Sequence, residues 1–187
     1  MRIIGVDDGA FPPSKRSSDR ALLIAVLFEN ARVRGIRVGH IQVDGRDANQ
    51  VLASLLSTVR FDVIMLSGIS FGGFNLVDIS ELARTTHRPV IAITGEKPHN
   101  VLVRKALRAH FADWEERWDI VRAAGELHST KPLSDEPKVY FEVRGAPPTF
   151  ARRVIASTAV ISRLPEPIRV ARILARGLSE LTPPRIP

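Results

Sequence analysis

The chain contains no cysteine. Disulfides, thiol catalysis, zinc–thiolate sites and iron–sulfur clusters are therefore excluded. Long apolar runs are missing too. The longest, residues 21–28, has eight residues, far short of the roughly 20 that span a bilayer. Met1-Arg2-Ile3-Ile4-Gly5-Val6 leads straight into a strand-like pattern, so no signal peptide, no membrane partner and a soluble, cytoplasmic protein are expected. The five histidines (40, 87, 99, 110, 128) lack metalloprotease spacing, and no serine-nucleophile motif is visible. Lysine is scarce, at five of the 27 basic side chains. The rest are arginine, the residue suited to bidentate phosphate contacts.

What is present is an ordinary globular mixture, 44% hydrophobic and 25% charged over 187 residues. That composition excludes collagen-like, coiled-coil and disordered chains. It suits one domain spanning residues 1–187, since no linker divides it. The net charge of +7 is unevenly spread. Residues 1–143 are almost balanced, whereas residues 144–187 carry eight arginines against Glu166 and Glu180. A basic C-terminal quarter points to a polyanionic partner.

Strand-like runs cover 2–7, 21–28 and 33–43, and the last alternates in part. Between the first two lies a polar segment, 8–20, rich in Pro and Ser and long for a loop. Helix is expected over 47–59, strand over 61–66, a glycine-rich turn over 67–74 and helix over 75–86. A strand over 89–94 follows, then helices over 99–110 and 112–125, a loop over 126–137 and a strand over 138–143. Two final helices are expected over 148–162 and 165–179. Three antiparallel strands, then parallel strands reached through helices, is the element order of the ribonuclease H-like fold. The expected architecture is an α/β domain with a mixed five-stranded sheet, helices on both faces and a C-terminal helical addition.

In such a sheet the ends of strands one, three and four share one edge, where α/β domains bind ligands. Asp7-Asp8, Asp44-Gly45-Arg46-Asp47 and Ser67-Gly68 stand there. Clustered carboxylates suit Mg2+ or Mn2+. Asp7 is the expected bridging ligand, with Asp44 as a second metal residue. Asp8, Asp47 and Asp78 are further catalytic candidates. Asp7 and Asp8 point to opposite faces if the strand continues, so one of them would ligate directly. Strands one and three lie about 9.5 Å apart, which puts Asp44 at the limit of reach. Bland roles compete: Asp44-Gly45 as a turn, Asp47 as a helix cap, and Asn75 and Asp78 as a capping pair.

The glycine loop offers Gly68, Phe71, Gly73 and Asn75 as substrate-binding candidates, although it lacks the Lys-Ser/Thr of a Walker A loop. Buried packing is the alternative for Phe71. On the last helix, Arg169, Arg172 and Arg176 share one face at i, i+3, i+7. That stripe could track a phosphate backbone or form a solvated face. Val170, Ile173, Leu174 and Leu178 are its expected packing side.

Five segments together resemble an archaeal endonuclease-dU-like family related to endonuclease V. They are Ile4-Gly5-Val6-Asp7-Asp8-Gly9, Val43-Asp44-Gly45-Arg46-Asp47-Ala48, Gly68-Ile69-Ser70-Phe71-Gly72-Gly73-Phe74-Asn75-Leu76-Val77-Asp78, Pro89-Val90-Ile91 and Pro165-Glu166-Pro167-Ile168-Arg169-Val170-Ala171. The resemblance implies the ribonuclease H-like fold and a magnesium-dependent phosphodiesterase acting on deaminated DNA. Gly5-Val6-Asp7 looks like the endonuclease V segment holding its first metal aspartate. Strand four departs from that pattern: endonuclease V ends it with a metal-binding Asp followed by Gly, whereas here Ser67 precedes Gly68. Asp78, Asp44 or Asp47 would have to compensate.

Three functions are consistent with these features. One is a metal-dependent endonuclease on deoxyuridine- or inosine-containing DNA, with DNA favoured over RNA. Another is a nucleic-acid-binding protein that keeps the fold without catalysis. Its three arginines would give a log–log salt slope of roughly −2.7. The third is a small-molecule phosphate or nucleotide enzyme using the glycine loop.

Overall fold

The computed structural model describes residues 1–11 and 20–181. The expectation of a functional loop over 8–20 therefore falls largely outside the described residues. The first three apolar runs form three antiparallel strands: β1 (Arg2–Asp8), β2 (Arg20–Glu29) and β3 (Arg32–Gln42). Helix α1 (Ala48–Leu56) leads to β4 (Val63–Leu66), which lies parallel to β1. A short hairpin follows, β5 (Ser70–Phe71) and β6 (Asn75–Leu76), then α2 (Ile79–Thr86) and β7 (Val90–Thr94). Helices α3 (Asn100–His110) and α4 (Trp114–Ala123) precede the antiparallel pair β8 (His128–Thr130) and β9 (Val139–Arg144). The chain closes with α5 (Pro148–Thr158) and α6 (Glu166–Leu181).

The main sheet has seven strands in the order β3-β2-β1-β4-β7-β9-β8, two more than expected. β9 pairs with β7 and extends the sheet, and β8 arises within the segment expected to be a loop. The segment 70–76, expected as turn and helix start, is a hairpin because Gly72 and Gly73 take positive φ (50° and 86°). These are left-handed conformations that glycine adopts without penalty.

Side chains alternate across the sheet, and helices cover both faces. On one face Ile4, Val6, Ile64 and Leu66 pack against Leu52 and Leu56 of α1 and Ile79 and Leu82 of α2. On the other, Ile3, Val63, Met65 and Ile91 pack against Val154 and Ile155 of α5 and Ile168, Ala171 and Ala175 of α6. Each large apolar side chain so buried contributes roughly 1.5–3 kcal/mol.

Helix α6 lies unusually close to β1. A Cβ on Gly5 would collide with the backbone of Pro167, and one on Gly9 with Ser179 and Ala175. Gly5 on the strand, Gly9 just after it and two alanines on the helix let the backbones approach. This corrects the expected packing side of α6. Ile168, Ala171 and Ala175 are fully buried, Ile173 is 56% exposed, and Val170, Leu174 and Leu178 pack at the rim. Small side chains win the interface because β1 presents glycine there.

Candidate functional site

The two aspartates at the end of β1 part company, as strand geometry requires. Asp7, on the same face as Ile3 and Gly5, turns toward α6. Its Oδ2 accepts from Arg172 Nε at 2.7 Å, and its Oδ1 accepts from the Asp8 backbone N–H at 2.9 Å. The Asp7 carboxylate is almost wholly buried. Parallel register sets Val6 beside Leu66, so Ser67 follows Asp7 on the neighbouring strand, about 4.8 Å away. Arg172 Nη2 donates to Ser67 Oγ at 2.7 Å. One guanidinium thus joins the ends of β1 and β4. Charge-assisted bonds of this length are the strong ones.

Asp8 turns to the other face, where its Oδ2 accepts from Gly72 N–H at 2.6 Å. Burial pushes its carboxyl up to about 6, the neighbouring Asp7 charge adds to this, and the Gly72 N–H opposes it. Asp7, Asp8, Phe11, Ser67, Arg172 and Arg176 line an open cleft of about 540 Å³. A larger recess of about 810 Å³ lies at the opposite end of the sheet, near Asp62 and Arg88. There the Asp62 carboxylate accepts from the backbone N–H of Arg2, whose side chain pairs with Glu29.

The other acidic candidates gather on the α1 side and build structure. Asp44 takes positive φ (56°), and its Oδ1 accepts from Phe74 N–H at 2.8 Å. Asp47 stands at the start of α1 but does not cap it. Its carboxylate accepts from Gln42 N–H at 3.1 Å and Asn75 Nδ2 at 2.6 Å. Asn75 satisfies the helix instead, accepting from Ala48 N–H at 3.0 Å while donating to the Gln42 carbonyl at 2.8 Å. Asp78 is the cap of α2, accepting from Ser80 and Glu81 N–H. The expected capping pair is thereby corrected: Asn75 lies in β6, and Asp78 is itself the cap.

Asp7 and Asp44 share no partner. The register places Asp7 opposite Ile24, and Ile24 opposite Val38, so Asp44, two residues past the end of β3, lies six residues beyond the Asp7 level. Asp7 faces α6, whereas Asp44, Asp47 and Asp78 bond to segments on the α1 side. Among the described residues no three His, Asp or Glu side chains converge to hold a metal ion. With both Asp7 oxygens taken and a cation between Asp7 and Ser67, the residues as arranged do not fit the expected magnesium or manganese centre.

The glycine loop is likewise used internally. Gly72 N–H goes to Asp8, and Phe74 N–H to Asp44. The Asp44 carboxylate fills the space a Gly73 side chain would need. Phe71 and Asn75 are fully buried and cannot meet a substrate, and Gly68 is buried where the chain turns at φ 84°. Phosphate binding by this loop is not supported by the geometry.

The arginine stripe divides by partner. Arg169 is held bidentately by Glu166 at 2.8 and 2.7 Å, and Arg172 by Asp7. Arg176 is exposed on the cleft wall. A buried cation escaped the sequence reading. Arg117 of α4 donates to the carbonyls of Gly45 (3.0 Å), Phe74 (2.6 Å) and Asp44 (3.0 Å), and pairs with Asp113 at 2.9 Å. Nothing in its charged, amphipathic surroundings marks it in sequence.

Strand order, two helical faces and a polar centre at the ends of β1 and β4 define an α/β domain of the ribonuclease H-like class. The endonuclease V of Ciona intestinalis, solved in complex with a 24mer DNA containing an inosine followed by a ribo-adenosine, superposes with a TM-score of 0.59. That match has 12% identity and covers 97% of this chain and 87% of that one. The endonuclease dU family model matches residues 1–179, and the chain belongs to that family. A crystal structure of a protein of unknown function from Archaeoglobus fulgidus gives a TM-score of 0.83 at 29% identity, covering 95% and 97% of the two chains. A UPF0215 protein of Methanopyrus kandleri is 38% identical over 185 residues, 96% of this chain and 92% of its relative. No helix among the described residues is long and apolar enough to cross a membrane.

Proposed function

We propose that this protein is an endonuclease that cuts the backbone of deaminated DNA, deoxyuridine- or inosine-containing, in the cleft between the ends of β1 and β4 and helix α6. The observation that carries the reading is the Asp7–Arg172–Ser67 bridge, a cation fixed at the edge of the sheet and one-third exposed beside a cleft. Arg172 and Arg176, one helical turn apart, form the phosphate-binding pair. Asp7 and Ser67 fix the Arg172 guanidinium, so little reorganisation is needed when an anion arrives. The proton of the attacking water passes to solvent. Water adds to phosphorus, the ester P–O bond breaks, and solvent protonates the departing oxygen. Family membership and the fold shared with endonuclease V support the assignment.

Nicking of a uracil-containing duplex by the wild type and by Asp7→Asn tests it. Loss of nicking in a folded Asp7→Asn chain is the expected result. A second reading, binding without cleavage, is favoured by the uncharged Ser67 and is met by salt-sensitive DNA binding with no nicked product.

A further inference from the structure

We propose that the Arg172 guanidinium is the resident cation of this site, so that Arg172 and a divalent metal ion exclude one another at Asp7. Asp7 lies at the end of β1 and Ser67 just past the end of the parallel β4, and both side chains meet Arg172. The resemblance to endonuclease V implies a metal-binding carboxylate at each of these two strand ends. Here one carboxylate is replaced by Ser67, and the gap between the two residues holds a guanidinium bonded to both at 2.7 Å. The charges balance, since Asp7 and Arg172 cancel and Ser67 carries none. A divalent ion would have to displace a side chain that cannot shed its proton. It would gain one carboxylate, because Asp8 faces the other way and is held by Gly72.

The position of Arg172 is built into the fold. Pro167 lies over Gly5, and Ala175 and Ser179 lie over Gly9. Helix α6 is thus clamped to β1 on both sides of Arg172, and the guanidinium is set against Asp7 by backbone contact rather than by a mobile loop. The ion pair in turn accounts for a nearly buried carboxylate on an otherwise apolar strand face. The consequence for the proposed endonuclease is that the phosphodiester meets an arginine rather than a metal ion. The competition at Asp7 itself holds whether or not the chain cuts DNA.

Mn2+ titration of the full chain, read by electron paramagnetic resonance of the free ion, tests the exclusion without reference to nicking. Wild type and Asp7→Asn should bind Mn2+ equally weakly. Arg172→Met should bind more tightly than wild type, and Ser67→Asp combined with Arg172→Met at least tenfold more tightly. One equivalent of Mn2+ held by the wild type and lost in Asp7→Asn would overturn the proposal. So would a folded double variant with no gain. If the Arg172 variants do not fold, the comparison of wild type with Asp7→Asn decides alone.

Discussion

Two corners of the same sheet edge are rich in carboxylates, yet they differ in what their oxygens meet. On the α1 side, Asp44, Asp47 and Asp78 accept from backbone N–H groups and from Asn75, and Arg117 closes the carbonyls around them. On the α6 side, Asp7 accepts from an arginine that also borders an open cleft. The first corner is fully used in holding the hairpin and two helix starts. The second holds a cation where solvent and ligand can reach it. Acidic residues at a strand edge are thus insufficient to mark a site, and the direction of their lone pairs separates carboxylates bound up in turns and helix starts from one beside an open cleft.

The sharpest way to break this contrast is to damage each corner in turn. Arg117→Met removes the buried cation from three carbonyls and Asp113, and should lower stability by about 3–5 kcal/mol in denaturant unfolding. Asn75→Ala strips bonds from Gln42, Asp47 and Ala48 and should lower it by about 2 kcal/mol. Asp7→Asn keeps the shape of its side chain and should change stability by about 1 kcal/mol while lowering nicking roughly 100–1,000-fold. An Asp7→Asn chain as unstable as Arg117→Met would erase the distinction between the corners.

Glu142 on β9 provides a pH-dependent contrast, because burial pushes its carboxyl up to about 7 and a backbone hydrogen bond offsets this only in part. The folded state binds its proton more tightly than the unfolded state. The associated stability is therefore full below the ordinary value of 4.5 and lost as pH rises through about 7. Glu142→Gln should raise stability by roughly 1–3 kcal/mol at pH 8.5 and leave it unchanged at pH 4. Equal effects at both pH values would show that ionisation is not the cause.

The smallest effect concerns the arginine stripe. With Arg169 tied to Glu166, the expected salt slope of DNA binding falls short of the value for three phosphates. Arg176→Ala should reduce its magnitude by about 0.9, whereas Arg169→Ala should leave it almost unchanged. Equal changes from both would return Arg169 to the interface.

Much of the fold was legible because apolar periodicity and strand order follow from burial. The three-strand start, the parallel β4 and the helices on both faces were all expected. β8 was missed since His128-Ser129-Thr130 has no apolar alternation and is a strand only through pairing with β9. The hairpin was hidden by helix-like spacing after Asn75, which the positive φ of Gly72 and Gly73 overrides. At the site, Asp7 stood out as an acid ending an apolar strand, and Arg172 as part of a stripe. Their pairing spans 165 positions and depends on the close approach at Gly5 and Gly9, which periodicity does not reveal. The bonds of Asp44, Asp47 and Asp78 to backbone N–H groups and Asn75 were hidden, because composition counts carboxylates without showing their partners.

In the proposed endonuclease the Asp7–Arg172–Ser67 bridge is the working part. The most direct measurement is the single-turnover nicking rate of a uracil-containing duplex by wild type, Asp7→Asn and Arg172→Met, each verified as folded by thermal unfolding. A fall of roughly 100–1,000-fold in both variants is predicted. Nicking at the wild-type rate by either folded variant would contradict the account.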